Sequence, residues 1–539
     1  MKKKLFCLLL ACAMVLAALA ACGGDQSSSV QQSSSSGAQQ SSSGSSAPEE
    51  TGGMPIVTEP MTLKIFAGKH ATHANWEDML VWKTYEELTG IHIEWDLVDT
   101  TNLAEVRNIR LVGGEYPDVF FQAQLSAADL MTYGSQGAFI PLNDLIDQYA
   151  PNIKAIFDAQ PEVRKLVTMP DGNIYSLPTV TDPAFTSVQA TLKFWVSEDW
   201  LAQTNMDKPE TTEDFYEYLK AVKALDPDVV PLTSHSFKWL RNSMRGAFGV
   251  ANRGNNHDYV GQDDATGELV FSPVTENWKA MVEYLNKLYS EELLAQDIFS
   301  MDYATYVAAG TEGRYASFVA VSPTLFGIDE GYRGDMVLEG PFGDKFAGMY
   351  ASTASNPGSF VITNANQNPI ETIKWIDYLY SKEGSLLYFM GVEGETYTVD
   401  ADGSVQYVDD ILNNPDGLTL DQAVGQFTSW PGGYYPAVLS QDYFRGAETS
   451  PAALAAAEYL KDYKPKEVWN AFTYTEEENA EMAALQGDIH KYVDEMTSQF
   501  VSGVAGMDKW DEYVRTIEQM GLERYMEIYN QAYQRYANS

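Results

Sequence analysis

The chain has 539 residues, with 35 basic against 75 acidic side chains and a net charge of −40. A surface this acidic excludes nucleic acid and anionic lipid headgroups as partners. All three cysteines, Cys7, Cys12 and Cys22, lie at the very start, so the remainder can form no disulfide, thiol nucleophile, iron–sulfur cluster or cysteine zinc site.

Lys2, Lys3 and Lys4 form a basic segment, and Leu5 to Leu19 is apolar. About 15 apolar residues are too few to span a bilayer comfortably, so 1–21 reads as a secretory signal. The quartet Leu19-Ala20-Ala21-Cys22 resembles the lipobox of bacterial lipoproteins. That resemblance implies cleavage before Cys22 and a diacylglyceryl group on its thiol. Residues 22–58 are rich in Ser, Gln and Gly, with almost no large apolar side chains. Such a tract cannot offset its ordering entropy, and it reads as a tether with a reach of roughly 30–36 Å.

The folded part begins near Met61. "TLKIFAG" alternates as a strand, and "NWEDMLVWKTYEELTG" places Trp76, Met79, Leu80 and Leu88 on one helical stripe ending at Gly90. "IHIEWDLV" alternates again. A helix is predicted over 102–112, and "PDVFFQ" reads as a short buried strand. This β-α-β-α-β order predicts an α/β lobe with a mainly parallel sheet. "TMPDGNIYSLP", "TVDADGSVQYV" and "DDATGELVFSP" read as hairpins. The C-terminal stripe Leu522, Tyr525, Tyr529, Ala532, Tyr533 and Tyr536 reads as helical core packing.

Seven stretches stand in a telling order: "VWKTYEELTGIHIEWDLV", "LVGGEYPDVFF", "GAFIPLNDLIDQYAPNI", "DGNIYSLP", "WVSEDWLAQTNMDKPETTEDFYEYLKAVKALDP", "IKWIDYLYSKEGSLLYFMGVEGETYTVDADG" and "QFVSGVAGMDKWDEYVRTIEQMGLERYMEIYNQAYQRY". Together they resemble the extracellular solute-binding proteins, family 1, of ABC sugar importers, in particular the large Gram-positive lipoproteins. The resemblance implies an α/β, two-lobed type II periplasmic-binding-protein fold with interlobe hinge strands. Lobe one is expected over 59–188 with about 358–398, and lobe two over 189–357 with about 399–539. The crossings are expected near "FTSVQATLKFWV", at the start of "PGSFVITNANQNPIETIKWIDYLYSKEG" and after "GVEGETYTV". The implied function is capture of a carbohydrate, an oligosaccharide, in the interlobe cleft, and delivery to the transmembrane subunits of an ABC permease. The implied protein is a monomer at the extracellular face of the cytoplasmic membrane, held there by its lipid alone, and not an enzyme.

Ligands of open α/β sheets bind beyond the carboxyl ends of the strands. Sugars need planar hydrogen-bonding groups and aromatic faces. The expected ligand contacts are therefore Lys69, His73, Asp118 and Gln122 on lobe one, Glu395 and Tyr397 near the hinge, and Trp239, Trp430 and Tyr434 on lobe two. His70 and His73 lack a third metal ligand nearby, and "DADG" lacks the closing glutamate of a calcium loop, so no metal is expected. Many relatives carry an Asp/Asn/Gly-rich calcium run where this chain has the shorter "LDPDVVPLT". No cofactor is expected, and Gly-x-x-x-x-Gly-Lys-Ser/Thr, Gly-x-Ser-x-Gly and His-Glu-x-x-His are all absent. Two other classes stay open. Glu393 and Glu395 would suit a surface-anchored glycan-acting enzyme if they flanked a sugar site. A sensor or adhesin would need no permease.

Overall fold

A computed structural model describes residues 53–328 and 330–539. The signal segment, Cys22 and most of the tether lie outside them. Fourteen strands follow in chain order. β1 (Met61–Lys69), β2 (Ile91–Asp99), β3 (Val119–Leu125) and β4 (Leu177–Thr181) come first. β5 (Lys193–Ser197), β6 (Val230–Ser234), β7 (Val260–Gln262), β8 (Leu269–Phe271), β9 (Tyr315–Ala320) and β10 (Tyr332–Arg333) form a second group. β11 (Ala354–Ile362), β12 (Tyr397–Val399), β13 (Val405–Tyr407) and β14 (Val438–Leu439) complete the set.

The first lobe is built on a six-stranded sheet in the order β14-β4-β11-β3-β1-β2. β1 pairs in parallel with β2 and β3, whereas β11 is antiparallel to both β3 and β4. β1, β3 and β4 therefore point the same way. Helices cover both faces of this sheet: Ile65, Phe121 and Ile362 enter one core, and Phe66, Phe120 and Val361 enter another. Two-sided burial explains why β3 reads as an unbroken apolar run. At Gly358 a Cβ would come within 2.3 Å of the Leu125 carbonyl, so β11 can lie this close to β3 only with glycine there.

The second lobe has a four-stranded sheet in the order β10-β5-β9-β6. Its core joins Leu232, Phe215 and Trp278 to the long helix Glu476–Ser502 and the last helix Leu522–Asn538. Tyr525, Tyr529 and Ala532 are buried in it, as their spacing predicts. The long helix begins with a reciprocal cap between Thr475 and Glu478, and Gly503 ends it in the left-handed region at φ 75°.

Two local expectations change. The stripe from Trp76 to Leu88 is not one helix: Trp76–Asp78 is a single 3-10 turn, Met79 is extended, and the α-helix runs Leu80–Thr89. Trp76 and Met79 are fully buried all the same, because Trp76 packs against Trp82 and Trp95. The second change concerns the last crossing. Tyr397, Tyr407, Val424, Trp430, Leu439 and Phe444 belong to the first core, so 399–444 stays with lobe one. The chain crosses at 445–450 and then enters the helix Pro451–Leu460, whose Ala456 packs with Trp195 of lobe two. Apolar content alone could not place this boundary, since Trp430 and Phe444 fit either core.

Candidate functional site

The carboxyl ends of β1, β3 and β4 form one edge, and residues 428–437 run along it. His73 follows β1 and is 7 % exposed. Its Nε2 lies 2.8 Å from the Pro431 carbonyl, and the Trp76 indole N–H donates to its Nδ1 at 3.2 Å. Those partners require Nε2 to carry the proton. Burial lowers the His73 pKa to about 4, so the ring is neutral at pH 7. Gly432 lies over His70, with a φ of 96° and room for no Cβ, which would sit 2.9 Å from the imidazole.

Gln122 on β3 anchors the same segment. Its amide nitrogen is 3.0 Å from the Tyr388 hydroxyl, 3.1 Å from the Ser429 carbonyl and 3.3 Å from the Gly433 carbonyl. Its Oε1 is buried without a partner. Further along, the Thr179 hydroxyl donates to the Tyr435 carbonyl at 2.6 Å, and Val180 N–H donates to the Ala437 carbonyl at 3.1 Å. Residues 428–437 thus pass from β1 over β3 to β4 before becoming β14.

Backbone strain collects along this edge. Gln122, Gln124, Asn356 and Tyr434 have φ of 50°, 54°, 50° and 61°. Left-handed backbone is uncommon for non-glycine residues and clusters at ligand sites. The Arg107 guanidinium supports this strained stretch of β3 by donating to the carbonyls of Ala123 and Gln124. Tyr434 is 37 % exposed, an aromatic ring held outward on a fixed backbone.

The opposing wall begins where β6 ends. His235 follows Ser234, and Trp239 lies in the helix Phe237–Met244, capped by Ser236. The imidazole meets Trp239 edge-on at 4.9 Å and Tyr303 edge-on at 5.1 Å. Tyr303 is 49 % exposed and Trp239 half-buried, so the three rings form an open aromatic corner. Burial, and after it the charge of Asp421, raises the Tyr303 pKa. Asp421 belongs to the short helix Leu420–Val424, whose Ala423 and Val424 are in the first core. The corner therefore lies within electrostatic range of lobe one.

The lobes join through 182–192, 350–354 and 445–450. Ala351 N–H donates to the Gln189 carbonyl at 2.7 Å, and Thr181 N–H donates to the Thr353 carbonyl at 2.7 Å. At the start of β5, Lys193 is 1 % exposed and donates to the carbonyls of Ser187 and Ala190. Burial holds its pKa down to about 8, against the favourable charge of Glu448. A cavity of about 530 Å³ also opens at this junction, lined in part by Glu162, Gln189, Ser352, Trp469 and Tyr536.

The expected site residues lie in different parts of the molecule. Lys69, Gln122 and Tyr434 lie on the first-lobe edge, with His73 directly beneath it, and Trp239 lies on the second-lobe wall. Asp118 is at the wrong end of β3. It is paired with the backbone of Lys64, whose N–H donates to its carboxylate at 2.8 Å. Lys64 is five positions before Lys69, or about 16 Å at roughly 3.3 Å per strand residue. Trp430 and Tyr397 are core residues of lobe one, 7 % and 6 % exposed, and the Trp430 indole N–H donates to the Phe389 carbonyl at 3.1 Å. Tyr434 also belongs to lobe one, not lobe two. Glu395 sits with Glu393 on an exposed turn before the β12–β13 hairpin.

His235, Tyr303, Gln124 and Asn356 were not anticipated. His235 is the first residue after a strand, which the strand-end rule could have flagged. The other three are brought in by backbone geometry. Among the described residues there is no group of three or more His, Cys, Asp or Glu arranged to hold a metal. No described helix is long and apolar enough to cross a membrane.

Residues 70–385 match the family model described as bacterial extracellular solute-binding protein. The fructooligosaccharide ABC transporter substrate-binding protein FusA of Streptococcus pneumoniae serotype 4 is 28 % identical over 505 residues, covering 89 % of this chain and 91 % of that protein. The structure of S. pneumoniae FusA in complex with kestose aligns with a TM-score of 0.72 at 26 % identity, over 89 % of this chain and 100 % of that one. An HMO-binding, ABC-transporter-associated solute-binding protein from Bifidobacterium longum infantis aligns with a TM-score of 0.76 at 18 % identity, over 88 % of this chain and 98 % of that one, a likeness of fold. With its type II two-lobed fold, this chain belongs to the bacterial extracellular solute-binding protein family.

Proposed function

We propose that this protein is a cell-surface lipoprotein that captures an oligosaccharide between its lobes and delivers it to the permease of an ABC importer. The observation that carries the ligand class is the pair of aromatic walls. Tyr434 stands out from a strained, hydrogen-bonded edge on lobe one, and the rings of Trp239 and Tyr303 stand open on lobe two. Aromatic faces with convergent amide and hydroxyl groups suit the alternating C–H and O–H surfaces of a sugar. The likeness to FusA, a fructooligosaccharide ABC transporter substrate-binding protein, supports the same class. Lipidation of Cys22 would hold the protein at the membrane, and the 22–58 tract would act as its leash. Nothing in this scheme requires turnover; Glu393 and Glu395 share an exposed turn before the β12–β13 hairpin.

The test is a thermal-shift and calorimetric screen of the mature protein against oligosaccharides of defined composition. A ligand at about 100 times Kd should add about 2.7 kcal/mol of stability, and it should be recovered chemically intact. The reading fails if no glycan shifts the melting curve while another solute class does.

A further inference from the structure

The two walls differ from a general sugar site in how their charges are committed, and this bears on the class of glycan. We propose that the cleft selects uncharged oligosaccharides and rejects uronate-containing ones; this rests on the carbohydrate reading above. Recognition of a sugar carboxylate calls for a guanidinium fork or a pair of free ammonium groups. The arginines around this cleft are already engaged. Arg107 donates to the carbonyls of Ala123 and Gln124. Arg241 is 1 % exposed and pairs with Asp494; Arg245 is 1 % exposed, donates to the Gly348 carbonyl and faces Asp258. Arg445, just before the last crossing, donates to the carbonyls of Val405, Gln441, Phe444 and Asp442.

Beside the aromatic walls the lysines leave little more, although the junction cavity away from them is lined by Lys165, Lys464 and Lys466. Lys238, beside Trp239, is held by Asp258 at 2.7 Å. Lys193 is buried against carbonyls. Lys69 is the one cation at the end of β1, and it has no carboxylate partner among the described ion pairs. Against it stand carboxylates with no cationic partner among the described ion pairs: Asp421 near Tyr303, Asp182 at the hinge, and Asp302 capping the helix that begins at Tyr303. On the first-lobe edge Gln124 and Asn356 offer amides, which suit hydroxyls, while the Gln122 amide is committed to residues 428–437. A uronate placed here would lose water, gain at most one cation, and face several like charges in a protein of net charge −40.

The experiment is a calorimetric titration of the mature protein with two matched panels. One holds neutral fructo-, manno-, xylo- and galacto-oligosaccharides of two to five units. The other holds oligogalacturonates and oligoalginates of the same lengths. The proposal expects binding within the neutral panel, at least about tenfold tighter than any length-matched uronate. It also expects that neutral affinity will not change between about 50 and 500 mM NaCl, because no ion pair is formed with ligand. Equal or tighter uronate binding, or a neutral-panel affinity that falls steeply with salt, overturns it. Failure of both panels while another solute binds defeats the carbohydrate reading itself, an outcome distinct from a reversed preference.

Discussion

The side-chain amide of Gln122 donates to the carbonyl of Gly433, 311 residues further along the chain, at 3.3 Å. One residue of an early strand thus fixes the height of a late segment, and Tyr434 follows immediately. Replacing Gln122 with Leu keeps the volume but removes the donor, leaving the carbonyls of Ser429 and Gly433 unpaired. An unmade buried hydrogen bond costs about 1–3 kcal/mol. Gln122→Leu should lower stability by that amount and weaken glycan binding, with both read by denaturant melts and calorimetry. Unchanged binding would show that the Tyr434 segment holds itself in place.

Trp430 and Tyr434 should behave in opposite ways. Trp430 is a core residue, so Trp430→Ala should destabilise the empty protein by about 3–5 kcal/mol. Tyr434→Ala should leave the empty protein nearly unchanged and weaken binding by about 1–3 kcal/mol, the surface of one stacked ring. Melting curves and titrations of the two variants decide this. A stable Trp430→Ala that binds poorly would put that indole back in the cleft.

Sequence and structure diverge most clearly at such residues. Burial on both faces made β3 legible as an apolar run, and the single buried face of the terminal helix made its spacing legible, because apolar periodicity is set by the core each meets. The strand-end rule points to Lys69, His73, Gln122 and Trp239, and the structure places Lys69 at the end of β1, His73 just after it, Gln122 within β3 and Trp239 shortly after β6. It misplaced Asp118, since a carboxylate just before a strand caps the backbone of its neighbour there. Trp430 and Tyr397 sit in turn-rich sequence but pack inward. Whether a loop aromatic turns in or out depends on long-range partners such as the Phe389 carbonyl, which local sequence does not reveal. Tyr303 entered the site only because the helix it begins lies beside His235.

Stability should fall on mild acidification. His73, His257 and His490 each have a pKa lowered to about 4, with burial the leading cause. Their folded values lie below the unfolded value of about 6.5, so the unfolded state binds more protons between those limits. Stability is therefore complete above pH 6.5 and declines as pH falls toward 4. Three carboxylates work against this: burial raises the Asp377 pKa to about 6 and also raises those of Glu448 and Asp344, so each favours the folded state as pH drops. The three large histidine shifts set the expected direction. Denaturant midpoints at pH 7.5 and 4.5 should show a loss of several kcal/mol, of order 1–3 per histidine. An unchanged or higher midpoint at pH 4.5 would contradict this.

Anchoring should depend on Cys22. Cys22→Ala removes the only cysteine left after signal cleavage and leaves 53–539 untouched. The variant should appear in the medium or remain as uncleaved precursor, as read by fractionation and intact mass. A cleaved variant that still partitions with membranes would mean that something other than acylation holds the protein there.

The central claim is that one ligand bridges Tyr434 on lobe one and Trp239 on lobe two. Only tighter binding to the closed form can shift a hinge equilibrium. Small-angle scattering of the mature protein with and without a glycan identified by the screen tests this directly. The radius of gyration should shrink with ligand in the parent, and should not shrink in Trp239→Ala at a glycan concentration that saturates lobe one. Binding with no change in shape, or equal compaction in the variant, would contradict capture between the lobes.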